Sequence, residues 1–149
     1  MTKVDLTHKV EMLFVSSDGW TDVTKDVLLP FTCNYGILTP SRNERIGRVG
    51  RFELTLDNSN TTENGLKGYY PPGHSNAVTG FKIGTAIKWT ANEVVKFYGR
   101  INYIKPKADP YGEQVTKVLA EDWLGEASKI KIADIPGSVD KRANEVVLN

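Results

Sequence analysis

Residues 47–58 decide the fold class, and they read GRVGRFELTLDN. Within this stretch Phe52, Leu54 and Leu56 alternate with charged and hydroxyl-bearing residues, so the two sets face opposite sides of an extended chain. This alternation is typical of a β-strand that buries one face. Asn58 then opens a run of Asn, Ser and Thr, which are common in turns. The stretch therefore predicts a strand that ends in a polar surface loop.

Further extended segments on both sides of this stretch predict a mainly β protein. Residues 20–29 are predicted to be extended, with a short helix over residues 23–28 as the alternative, and Pro30 is expected to break the chain. Residues 91–93 form a predicted hairpin turn. The other predicted strands are residues 9–16, 31–38, 85–90, 94–104 and 114–120.

The strand predicted over residues 94–104 carries the longest apolar pattern. Its residues Val95, Phe97, Ile101 and Tyr103 are predicted to share one face. Gly99 interrupts this row, as expected at a β-bulge or where another backbone segment passes closely.

Two short helices are predicted near the end of the sequence. Asp122 is expected to cap a helix that runs through Ala127. Ser138 is a good cap for a second, amphipathic helix from about residue 138. A helix of about three turns needs something to pack on, so it either docks on the β core or begins a further segment.

Length and composition indicate one ordinary globular domain over residues 1–149. Nineteen basic and eighteen acidic residues give a net charge of +1, which points to neither a nucleic-acid nor a membrane partner. No segment has the length needed to span a bilayer, and the first residues do not resemble a signal peptide. The single cysteine, Cys33, is consistent with folding in a reducing cytoplasm.

No recognised catalytic motif is present in the sequence. It lacks the nucleophile elbow, the phosphate-binding loop and the dinucleotide-binding glycine pattern. The two histidines, His8 and His74, do not have a metal-binding spacing. Acidic residues that fall close together are more often solvated or capping than catalytic, so we predict neither an enzyme nor a cofactor. The acidic pairs are Glu53 with Asp57 and Glu121 with Asp122.

Two features are predicted to form contact surfaces. From residue 42 to residue 51 an arginine recurs at every third position, which fits neither a strand nor a helical face. A solvated loop is favoured over a nucleic-acid site because no aromatic platform is interleaved; a basic arm that meets carboxylates of a neighbouring subunit is the third reading. The tyrosines before Pro71 and Pro72 sit on a restricted backbone. The candidate assembly contacts are Arg42, Arg45, Arg48, Tyr69 and Tyr70.

The aromatic side chains have an alternative use in sugar binding. Trp20, Tyr69, Tyr70 or Trp89 would stack on sugar rings if the chain were a carbohydrate-binding module. Packing in the core or at an interface is the commoner role of such residues.

Seven short motifs, taken in order, resemble those of bacteriophage tail proteins of the tail-tube and baseplate-hub kind. They are WTDVTKDV at 20–27, YG at 35–36, GRFELTLDN at 50–58, YPPGH at 70–74, GFKIG at 80–84, FYGRI at 97–101 and AEDWL at 120–124. The resemblance implies a virion ring subunit at the tail tip or baseplate, and it brings no catalytic residues. Proteins of this type are often longer and continue past the final helix.

Together, the residue patterns and this resemblance predict an antiparallel β-barrel or tight sandwich with one or two short helices. The predicted function is that of a structural protein of a bacteriophage tail, made in the host cytoplasm and incorporated into the virion. Its predicted partners are copies of itself in a ring and neighbouring tail proteins. Exposed edges or extended hairpins of long strands, such as residues 94–104, would contribute to these contacts.

Overall fold

The computed structural model describes residues 7–14, 19–37, 47–59, 69–107 and 114–130. These residues form seven strands, a 3₁₀ helix over Thr24–Asp26 and one short α-helix. The predicted mainly β fold is thereby confirmed. The elements are β1 (His8–Leu13), β2 (Thr21–Asp22), β3 (Val27–Ile37), β4 (Gly47–Asp57), β5 (Ala86–Ala91), β6 (Val94–Lys107), β7 (Val115–Glu121) and α1 (Trp123–Ala127).

The strands form one antiparallel sheet in the order β2-β1-β5-β6-β7-β4-β3. This sheet curls into a half-barrel. The 3₁₀ helix joins β2 at one edge of the sheet to β3 at the other, so the chain itself crosses between the two edges.

The core lies on the inner face of the half-barrel. As predicted, Phe52, Leu54 and Leu56 of β4 are buried, and Arg51 and Glu53, which alternate with them, are exposed. Removing apolar side chains from water is the main favourable contribution to folding, so this face holds the sheet in its curled form. The buried residues that complete it include Val10, Met12, Ile87, Phe97, Ile101 and Val118.

One aromatic side chain spans the open side of the half-barrel. The ring centroid of Phe31 in β3 lies 5.5 Å from that of His8 in β1 and 5.3 Å from that of Trp89 in β5. It also lies 5.4 Å from the centroid of Phe52 in β4. Edge-to-face contacts of this kind are favourable beyond the area they bury. Phe31 therefore connects strands that are not neighbours in the sheet.

Two register shifts overturn the apolar face that was predicted for β6. Phe97 and Ile101 are buried, but Val95 is 52% exposed and Tyr103 is 49% exposed. The pairing shifts at the β5–β6 step from Trp89 to Thr90 and again between Ile101 and Tyr103. Each shift inserts a residue, and a slip of one residue turns the strand beyond it to the other face.

Pro30 was predicted to break the chain between two strands, and this prediction is wrong. It lies within β3, where the Leu29–Pro30 peptide is cis and the pairing with β4 shifts between Leu28 and Thr32. A residue without an N–H is tolerated at a bulge of an edge strand, and β3 is an edge strand of the described sheet. Of the short helix that was the alternative prediction for residues 23–28, only the 3₁₀ helix over Thr24–Asp26 is present. The chain is extended from Val27 onward.

The hairpin turn predicted after β5 and the helix cap predicted after β7 are both confirmed. Asn92 and Glu93 have φ values of 49° and 64°, as a two-residue hairpin turn requires. The side chain of Asp122 accepts hydrogen bonds from the backbone N–H groups of Leu124 and Gly125 and so caps α1. The helix predicted from about residue 138 lies outside the described residues.

Candidate functional site

The hairpin formed by β3 and β4 extends beyond the rest of the sheet. β4 pairs with β7 only from Arg51 onward, whereas its pairing with β3 continues to Gly47 opposite Ile37. We call residues 34–37 and 47–50 the hairpin arm. Because β7 has ended before this point, no described strand other than β3 pairs with β4 here.

The hairpin arm exposes an aromatic side chain and a cation. Tyr35 is 63% exposed, and the exposed Arg48 lies opposite Gly36. An open groove of about 980 Å³ begins at these two residues and continues past Cys33 to Trp89 at the mouth of the half-barrel. Tyr and Arg are the residue types, with Trp, that most often dominate the binding energy of protein interfaces.

The root of the hairpin arm, Gly50, is held by hydrogen bonds to Asp122, the residue that caps α1. Gly50 donates its backbone N–H to Asp122 Oδ2 at 2.8 Å and accepts a hydrogen bond from the Asp122 N–H at 3.0 Å. A Cβ atom on Gly50 would lie 2.6 Å from that carboxylate oxygen, so only glycine permits the approach. Asp122 thus holds α1 and the hairpin arm together.

A buried carboxylate next to this junction links three elements. Glu121 is 7% exposed, and its Oε2 accepts hydrogen bonds from Asn102 Nδ2 at 2.9 Å and from Lys129 Nζ at 3.1 Å. Its Oε1 lies 3.5 Å from Arg51 Nε. A buried charge is tolerated only when it is paired and hydrogen-bonded. Glu121 therefore anchors β4, β6 and the residues after α1 to one another.

In the other acidic pair, Asp57 has a local structural role. Both carboxylate oxygens of Asp57 accept hydrogen bonds at 2.8 Å from Ser59, one from its N–H and one from its hydroxyl. Such a bond stabilises the turn at the end of a strand. Across the ranges that the structure describes, no three His, Cys, Asp or Glu side chains are placed to hold a metal ion.

The predicted contact residues differ in location and in burial. Arg48 lies on the hairpin arm, where its role as a contact stays a prediction, and Arg42 and Arg45 lie outside the described residues. Tyr69 is half-buried. Burial, together with the negative charge of Asp26, raises the pKa of the Tyr69 hydroxyl.

Tyr70 is buried, so the prediction that it lies on a contact surface is wrong. Its exposed fraction is 0%, its hydroxyl donates to Asp26 Oδ2, and its N–H donates to Asn58 Oδ1 at 3.1 Å. The buried hydroxyl needs a partner inside the fold, and Asp26 supplies it from the 3₁₀ helix. The prolines after Tyr70 restrict the backbone but do not determine which tyrosine points inward.

The candidate sugar-stacking residues do not share one surface. Trp89 is half-buried and stacks on Phe52 at 5.7 Å with an interplanar angle of 10°. Trp20 lies elsewhere, with its ring 5.9 Å from that of Tyr98 and with Lys88 Nζ 4.6 Å from its centroid. Tyr70 lies in the core, and Trp20 and Trp89 lie apart, so these rings do not form one sugar-stacking surface.

The single thiol lies on the groove beside the hairpin arm. Burial raises the pKa of Cys33 to about 11, so the thiol is protonated and weakly nucleophilic at neutral pH. It packs against the core from a half-buried position.

Comparison with protein-family models gave no match, and comparison with curated proteins gave none either. No helix within the described ranges is both long and apolar enough to cross a bilayer.

Proposed function

We propose that this chain is a structural subunit of a bacteriophage tail, at the tail tip, the baseplate hub or a distal tail ring. It acts by binding copies of itself and neighbouring tail proteins, and its working location is the virion. The observation that carries the proposal is the hairpin arm, which presents Tyr35 and Arg48 beyond the sheet. An arm with a fixed root loses little conformational entropy on binding, which favours assembly.

The positions of the motifs that carry the family resemblance support this proposal. Three of them, at residues 50–58, 97–101 and 120–124, meet at the root of the hairpin arm. Gly50 bonds to Asp122, and Gly99 packs against the backbone of Glu121. Three of the seven motifs that carry the resemblance therefore contain residues that orient the proposed contact surface.

The test is reconstitution with the products of neighbouring genes, followed by negative-stain electron microscopy. The wild-type chain is expected in rings or tail tips. The double variant Tyr35→Ala, Arg48→Ala is expected to enter at least about tenfold fewer assemblies, because truncating an interface Tyr or Arg removes more than about 1 kcal/mol. The matched control Tyr98→Ala, Lys82→Ala removes an exposed tyrosine and an exposed cation from other parts of the surface. Absence of the wild-type chain from every assembly would contradict the proposal.

Titration with host-surface glycans tests the alternative, a carbohydrate-binding module. Stacking on a sugar needs no oligomer, so saturable glycan binding by a monomer, lost in Trp20→Ala, would favour that alternative. The proposed assembly function predicts no such binding.

A further inference from the structure

The outer face of the half-barrel carries an apolar depression, which we call the outer groove. It has a volume of about 360 Å³. Tyr103, Leu119, Glu53 and Thr32 are successive cross-strand partners on β6, β7, β4 and β3, and they line it together with Pro30. The half-exposed Tyr103 and Leu119 are among its apolar lining residues.

One end of the outer groove carries an excess of positive charge. Lys117 lines the groove, Lys105 is its direct cross-strand partner, and Lys107 follows two residues later. Like charges directly opposite each other destabilise a sheet. None of these lysines forms an ion pair within the described residues. The three lysines therefore have no ion-pair partner within the described part of the subunit.

The turn between β5 and β6 exposes apolar side chains between two charged residues. We call residues 93–96 the hairpin tip. Val94 is 55% exposed and Val95 is 52% exposed, and they lie between the exposed residues Glu93 and Lys96. Neither charged residue has an ion-pair partner in the part of the chain that the structure describes. The hairpin tip thus offers two valines flanked by an unpaired anion and an unpaired cation.

The charges of the hairpin tip and the outer groove match in sign and spacing. Lys117 faces Thr55, and Glu53 is two residues from Thr55 along β4. Strand geometry therefore puts Lys117 and Glu53 about 8 Å apart. Glu93 and Lys96 are three residues apart, at most about 10 Å in an extended chain. Glu93 can thus meet Lys117 while Lys96 meets Glu53. Val94 and Val95 are consecutive in β6 and point to opposite faces of the strand, so one of the two covers Tyr103 and Leu119.

These two surfaces cannot meet within one subunit. Val94 and Tyr103 are nine positions apart in β6, which corresponds to about 30 Å along a strand. We propose that the hairpin tip of one copy docks in the outer groove of a second copy. This inference rests on the proposed assembly function and specifies one of its contacts.

A tip-to-groove contact is heterologous, since it uses a different surface on each copy. Contacts of this kind generate a closed ring when the rotation closes and a filament when it does not. The hairpin tip is small, so a single contact is weak, and it depends on ionic strength because the charges lie near the surface. Association of the isolated chain is therefore expected only at high concentration and low salt.

A charge-swap experiment measured by sedimentation velocity tests the contact. Lys117→Glu alone and Glu93→Lys alone each place like charges together, and each is expected to weaken self-association at least about tenfold at low salt. An equimolar mixture of the two variants restores an opposite-charge pair at every contact between unlike copies, and one chain with both substitutions restores it at every contact. Recovery of association in both cases is the expected result.

The control is Lys82→Glu, which changes the net charge by the same amount and sign as Lys117→Glu but lies outside both surfaces. Lys117→Glu puts a carboxylate opposite Lys105, so it is expected to stay folded, which thermal unfolding checks. If the wild type associates and both charge variants behave like the control, the contact lies elsewhere, and the proposed assembly function stands. A wild type that stays monomeric at low salt and about millimolar concentration overturns this contact; the reconstitution with neighbouring proteins then decides the proposed function separately.

Discussion

Tyr69 and Tyr70 are neighbours in the sequence, but their hydroxyl groups have different surroundings. Their rings meet edge to face with centroids 5.1 Å apart. The Tyr70 hydroxyl donates to the buried Asp26 carboxylate, whereas the Tyr69 ring is half-buried and its hydroxyl forms no hydrogen bond with any described residue. The hydroxyl of Tyr70 therefore contributes to stability, and that of Tyr69 contributes little.

Replacing Tyr70 with Phe removes this hydroxyl and leaves the ring in place. The free energy of unfolding is expected to fall by about 1.5–3 kcal/mol, because a hydrogen bond to a buried charged group is lost. Urea unfolding measures the change. The control Tyr69→Phe is expected to change it by less than about 0.5 kcal/mol. Equal losses in the two variants would contradict the assigned role of Tyr70.

Glu11 gives the fold a dependence on pH. Its Oε2 lies 2.8 Å from Lys88 Nζ and its Oε1 lies 2.9 Å from Lys9 Nζ. The hydrogen bond from Lys88 holds the pKa of Glu11 below its ordinary value of 4.5, with a further contribution from Lys9. Because the folded pKa is the lower one, this stabilisation is complete above the unfolded pKa and is lost as the pH falls through the folded pKa.

The variant Lys88→Met is expected to lower the free energy of unfolding at pH 7 by about 1–2 kcal/mol. It should also flatten the loss of stability below about pH 5, because the Glu11 pKa moves toward its unfolded value. Urea unfolding at a series of pH values measures both effects. Lys96→Met, which removes an exposed lysine with no ion pair among the described residues, should leave the slope unchanged. An unchanged slope in Lys88→Met would refute this account.

At the scale of elements, β6 and β7 depend on the missing side chain of Gly99. A Cβ atom at this position would overlap the carbonyl oxygen of Glu121 and lie 2.8 Å from Cζ of Phe97. The backbone cannot move away without breaking the contacts of the buried Glu121. Gly99 is therefore a close-approach position, one of the two uses predicted for it.

Gly99→Ala is expected to lower the free energy of unfolding by about 2–3 kcal/mol, since overpacking displaces backbone and core together. Gly47→Ala is the matched control, because it also lies in a strand but its Cβ would meet only Leu124 Cδ2 at 3.8 Å. Thermal unfolding of both variants measures the difference. If Gly99→Ala unfolds at the same temperature as the wild type, the inferred close approach is wrong.

Patterns of residues close in sequence predicted the strands and the helix cap, whereas the register shifts between paired strands could not be predicted from them. The alternation in β4 and the Asp122 cap depend on residues close in sequence, and both are confirmed. The two shifts in β6 arise from pairing with β5 and β7. They turned Val95 and Tyr103 outward, and no periodicity within β6 contains that information.

At the scale of the whole molecule, the sequence predicted the fold class but only part of the candidate site. Arg48 was found from the arginine spacing, whereas Tyr35 was missed because its strand pattern does not reveal that β7 ends before the hairpin arm begins. Tyr70 was misplaced because its partner, Asp26, is 44 residues away. Strand order and such distant partners depend on tertiary packing, which overrides local preference.

Closure of the half-barrel also depends on contacts distant in sequence. β1 and β3 are not neighbours in the sheet, yet the rings of His8 and Phe31 lie 5.5 Å apart. Phe31 also contacts Trp89 and Phe52. If these contacts close the molecule, the two edges of the sheet should be energetically coupled through Phe31.

A double-mutant cycle on Phe31→Ala and His8→Ala is expected to give a coupling free energy of about 0.5–1.5 kcal/mol, the range for an aromatic pair. Urea unfolding of the four proteins measures it. Phe31→Ala alone is expected to lose about 3 kcal/mol, because the ring also packs on β4 and β5. In the control cycle, Tyr98→Ala replaces His8→Ala; Tyr98 is exposed and its nearest ring is Trp20, so the two changes should add within about 0.5 kcal/mol. Additivity in the first cycle would show that β1 and β3 are held by their separate strand partners and that the aromatic contact does not close the half-barrel.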